Sequence, residues 1–90
     1  MWQVELEAGA PATPHSLTRE EVFVVLEGAA KVVLGGVHGV AEQGDAIVVP
    51  AAVPFELAAF GSGPVRLLCC LPVGGQACID GDTFTPPWAA

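Results

Sequence analysis

The chain has 90 residues, 52% of them hydrophobic, and ten acidic residues against three basic ones give a net charge of -7. One small domain is what this length supports, and with only Arg19, Lys31 and Arg66 as cations there is no basic stripe to follow a nucleic-acid backbone or an anionic membrane. So many apolar residues on so short a chain exceed what a single core can hide, which leads us to expect a homodimer.

In chain order, Trp2 to Leu6 alternates apolar and polar residues and predicts a first strand, at a sheet edge. The opening MWQVELEAG carries neither the basic segment nor the long apolar run of a secretory leader, and no stretch approaches the length of a membrane span, so the expected location is the cytoplasm. Glu7 to Pro14 is a Gly/Pro loop. His15, Leu17, Glu21, Phe23 and Val25 are all odd-numbered and share one face if the strand runs unbroken. Glu20 to Glu27, rich in Val and Phe, is the strongest strand signal.

Ala29 to Leu34 and Val37 to Glu42 flank Gly35-Gly36, a two-residue hairpin signal. Gln43-Gly44-Asp45 predicts a turn in which Asp45 accepts backbone N–H bonds. Ala46 to Val49 is a short strand, Pro50 to Pro54 a rigid crossing, and Phe55 to Phe60 and Val65 to Leu71 are two further strands around Gly61-Ser62-Gly63. Residues 73–90 read as a Gly/Pro-rich C-terminal tail of a single domain spanning residues 1–90, with room for a short strand at Gln76 to Ile79. No apolar period of 3.6 residues persists for three turns, so the class is all-β, a sandwich or a small barrel. Three cysteines, Cys69, Cys70 and Cys78, form no even-numbered disulfide framework and fit reduced thiols.

Two segments carry a more specific pattern. In the first, His15 is followed by Leu17, then after three residues by Glu21 and after six more by Gly28; in the second, Gly44 is followed after five residues by Pro50, then by Ala52, Phe55 and Ala59. In order and spacing these resemble the two motifs of the cupin superfamily, over roughly Trp2 to Pro72. Leu17 stands where that pattern has its second His, Ala52 where it has a Gly, Phe55 where it has a His and Ala59 where it has an Asn. The resemblance implies a small single-domain cupin-like β-barrel of the jelly-roll, double-stranded β-helix type. It also implies a degenerate metal site, since His15 and Glu21 remain as donors while Leu17 and Phe55 supply none.

The parity of Val65 to Leu71 turns Cys69 inward if Arg66 faces solvent. The expected ligand-binding pocket is therefore made by His15, Leu17, Glu21, Phe55 and Cys69, with His15 and Glu21 the candidates for any acid–base catalysis. No metal or other cofactor is expected. The alternative is a single divalent transition metal held by His15, Glu21 and Cys69, in an enzyme resembling the dioxygenase or isomerase members of the superfamily. The preferred reading is a protein that binds a small, mainly apolar molecule in a pocket of about 300 Å³ or more. A third is a structural or interaction barrel filled by its own side chains, in which Phe55 is plain core and Trp2 and Trp88 cap the barrel or a dimer seam.

Overall fold

The computed structural model describes residues 1–71, 76–79 and 82–84, the last two segments by their backbone pairing. Among these residues there is no helix and there are ten strands. They are β1 (Trp2–Leu6), β2 (Ser16–Leu17), β3 (Glu21–Glu27), β4 (Ala29–Leu34), β5 (Val37–Glu42), β6 (Ala46–Val49), β7 (Phe55–Ala59), β8 (Val65–Cys70), β9 (Ala77–Ile79) and β10 (Asp82–Phe84). The architecture is the all-β jelly roll that the sequence predicts.

One wall is a four-stranded antiparallel sheet in the order β1-β8-β3-β6. Its inward row is set by period-2 alternation: in β3 Glu21, Phe23 and Val25 are buried while Val22, Val24 and Leu26 are only partly so. In β8 Val65, Leu67 and Cys69 face the same way, and register places Cys69 opposite Phe23 and Leu67 opposite Val25. The opposite wall is built from β5-β4-β7 and β10-β9-β2. A bridge between His15 and Phe55 stitches these two sheets, each residue donating its N–H to the other's carbonyl, at 2.9 and 2.7 Å. The core between the walls is one cluster running from Leu17 and Phe23 through Val32, Ile47 and Phe55 to Leu67 and Cys69.

The turns follow their residues. Gly35 and Gly36 both hold positive φ, 55° and 83°, as a two-residue hairpin requires, and they join β4 to β5 in register, Leu34 opposite Val37. At the next turn the Asp45 carboxylate accepts the Glu42 N–H at 2.8 Å, the role expected for it.

Two expectations change. The stretch from His15 to Val25 is not one unbroken strand: bends at Thr18 and Arg19 divide β2 from β3. Thr18 makes the break possible by pairing with Gln76, its N–H donating to the Gln76 carbonyl and its Oγ1 accepting from the Gln76 N–H, both at 2.8 Å. Leu17 and Glu21 are still both turned inward, 2% and 0% exposed. Within the predicted tail, β9 is the short strand expected at Gln76 to Ile79; its pairing with β2 and the further strand β10 are additions that the structure makes. Three residues beside Gly81 are too few for an alternation to register.

Candidate functional site

Inside the barrel lies a part-enclosed cavity of about 190 Å³. The first sheet supplies one wall through Val4 and Leu6 of β1, Phe23 of β3, and Leu67 and Cys69 of β8. Leu17 of β2 with Phe55 and Leu57 of β7 supply the other, and the loop residues Pro11, Ala12 and Thr13 with His15 border it. The cavity is smaller than the expected 300 Å³ because Leu17, Phe23 and Phe55 project into the space between the sheets.

His15 is held on three sides. Its backbone is bridged to Phe55, its ring packs on the Phe55 ring with centroids 5.7 Å apart and planes 31° apart, and its Nδ1 faces the Thr13 carbonyl oxygen. A carbonyl only accepts, so Nδ1 carries the proton and the neutral ring keeps its lone pair on Nε2. Phe55 in turn packs against Phe23, with centroids 5.8 Å apart.

Of the five residues expected to form the pocket, His15, Leu17, Phe55 and Cys69 line the cavity and Glu21 does not. Glu21 is fully buried instead, facing inward near the end of β3, opposite Val49. It is felt at Cys69. Burial pushes that thiol up from 9.0 to about 12, the Glu21 carboxylate and then Cys70 add to the shift, and the chain's amino group opposes it slightly. Cys69 is therefore a small neutral wall group and no nucleophile at neutral pH. His38 is exposed on β5, away from the cavity. Neither Cys69 nor Cys70 is in a disulfide. The side chain of Cys78, and Trp88 altogether, lie outside the described residues.

Phe23, Leu57, Leu67 and the β1 residues Val4 and Leu6 were not named from sequence as pocket residues. Parity could have found Phe23, Leu57 and Leu67, which lie two residues from Val25, Phe55 and Cys69. For Pro11 to Thr13 no such signal exists, because a Gly/Pro loop does not say which end of a barrel it covers.

The donor set does not fit a divalent metal. Among the described residues no group of three or more His, Cys, Asp and Glu side chains converges on one point. Leu17 and Phe55 occupy two of the four ligand positions of the family pattern as packed core, 2% and 7% exposed, and neither carries a donor atom.

Comparison with known proteins gives the family. The cupin domain matches residues 2–71. An uncharacterized protein of Methanocaldococcus jannaschii is 32% identical over 53 residues, 59% of this chain and 42% of that one. A salicylate 1,2-dioxygenase from Pseudaminobacter salicylatoxidans superposes with a TM-score of 0.68 at 34% identity, over 74% of this chain and 19% of the dioxygenase. A cupin protein from Bacteroides fragilis superposes with a TM-score of 0.68 at 20% identity, over 97% of this chain and 70% of the other, which is a likeness of fold. The chain thus spans under half the length of the curated relative and about a fifth of the dioxygenase.

Proposed function

The chain belongs to the cupin domain family, and we propose that it binds a small, mainly apolar molecule inside the barrel without a metal. The observation that carries this reading is the cavity itself: Leu17 and Phe55 stand at two positions where the family pattern has metal-binding histidines, and both line an apolar space. A cavity of about 190 Å³ is ring-sized. An apolar cavity of roughly 150 Å³ is enough to bind benzene, whereas drug-sized ligands use about 300 Å³ or more. His15, Leu17, Phe55 and Cys69 are the proposed contact residues, with Glu21 behind them as a buried polar group. Should a bound molecule be turned over, His15 is the group beside it that accepts or returns a proton, and Glu21 acts only through its field.

A second reading, a metal-dependent enzyme using His15, Glu21 and Cys69, is favoured by the similarity to the salicylate dioxygenase and opposed by the donor set. Elemental analysis of protein purified without a tag or chelator, beside Glu21→Ala, separates the two. We expect no stoichiometric transition metal. One metal per chain, lost in Glu21→Ala, would overturn the metal-free reading.

We also propose a homodimer formed through the outer face of the four-stranded sheet. There Cys70, Val22 and Val48 form one apolar row and Leu68, Val24 and Ala46 the next, with Val48 48% exposed. Among the described residues no helix is long and apolar enough to cross a membrane. The free thiols Cys69 and Cys70 support a reducing, cytoplasmic setting.

A further inference from the structure

The cavity has an apolar body bordered by two polar side chains, the exposed Thr13 hydroxyl and His15, of which His15 is the one held in a fixed orientation. Leu17, Phe23, Leu57 and Leu67 offer no hydrogen bond, and Cys69 offers only a weakly polar thiol held neutral by burial. His15 differs. Its Nδ1 proton is committed to the Thr13 carbonyl, and its ring is fixed by the backbone bridge and the packing on Phe55. What it can offer a guest is therefore the lone pair of Nε2, an acceptor.

Charge sharpens the selection. The chain has three Lys and Arg residues, and Arg19, Lys31 and Arg66 are all exposed and absent from the described lining. The buried charged residue of the described part, Glu21, is acidic. An anion entering this space would shed its water with no Lys or Arg side chain to replace it, and the chain's amino group is felt at Cys69 only as the last of the influences on that thiol.

We propose that the cavity selects uncharged, ring-sized molecules carrying one hydrogen-bond donor, of the phenol or cyclic alcohol class, with the hydroxyl donating to His15 Nε2, and rejects carboxylates of the same size. This rests on the cavity being the ligand site, and the test keeps the two ideas apart.

Toluene, phenol and benzoate are titrated into the full chain at about pH 8, above the range in which histidines protonate, and followed by calorimetry. The same titrations are run on His15→Leu and on His15→Gln, which keeps a polar side chain at this position. We expect toluene and phenol to bind and benzoate not to bind at concentrations that saturate phenol. In His15→Leu the affinity for phenol relative to toluene falls about tenfold or more, because the hydroxyl is buried unpaired, and in His15→Gln part of that ratio returns. If benzoate binds as well as phenol, or if the ratio is the same in His15→Leu as in the natural chain, the inference is overturned while the apolar pocket stands. If none of the three binds, the pocket reading itself is overturned. The comparison of phenol with benzoate needs no variant, so it decides the matter even where His15→Leu does not fold.

Discussion

Ala52 holds a φ of 65°, in the left-handed region, at the position where the family pattern has glycine. Its N–H donates to the Leu17 carbonyl at 2.7 Å, so the backbone keeps the glycine-like turn that ties the crossing to β2. A β-carbon there costs about 1–2 kcal/mol, partly offset by the lower freedom of alanine in the unfolded chain. Ala52→Gly is expected to raise stability by about 0.5–1 kcal/mol in urea denaturation, and a lower midpoint would contradict the strain. Cys69 gives a pH dependence. Its folded pKa lies above the unfolded one, so the stabilisation is complete below pH 9.0 and is lost as pH rises toward about 12. Stability is expected to fall by up to about 1.4 kcal/mol per pH unit across that window, and Cys69→Ala should flatten the slope. An unchanged slope would show that the thiol is not the group responsible. The inward turn of Cys69 was legible because parity against the exposed Arg66 decides it, and that of Glu21 because the motif spacing falls on it. The Nδ1 bond of His15 was not, since its partner is a backbone carbonyl in a Pro-rich loop.

Between β3 and β4 the chain turns at Gly28, with φ 83°. A β-carbon there would lie 2.5 Å from the Pro64 carbonyl oxygen and 3.2 Å from the Val65 Cα, so the β3 end and the start of β8 approach each other only over glycine. Gly36 has the same φ, 83°, but a β-carbon on it meets nothing within 4 Å. Gly28→Ala should therefore cost more than Gly36→Ala, which carries only the backbone strain of about 1–3 kcal/mol. Thermal denaturation of the two variants checks the order, and equal losses would mean that the Pro64 contact relaxes freely. The glycine was readable from its motif spacing, but its steric partner, 36 residues later in sequence, was not. The same limit applies to whole elements. Strands β3, β4 and β8 carry five apolar residues each and were legible, as was β5 through the Gly35-Gly36 hairpin before it, whereas β2 and β10 are two and three residues long and exist through their ladders to β9.

For the molecule as a whole, the apolar outer face of β8, β3 and β6 is where we propose that two copies meet. Leu68, between Gln3 and Val24 in register, lies on that face, and a charge placed there leaves the barrel interior untouched. Native mass spectrometry should show a dimer for the natural chain and a monomer for Leu68→Glu. A monomeric natural chain would remove the proposed interface. The excess of apolar residues raises the expectation of association from composition alone, while the face proposed for it required the strand order. If the barrel interior is a ring-sized apolar site in place of a metal centre, as we propose, a toluene titration followed by amide correlation spectra shows it. Saturable shifts concentrated at Leu17, Phe23, Phe55, Leu67 and Cys69 are expected. Shifts confined to the exposed faces, or none at concentrations near toluene's solubility, would contradict it.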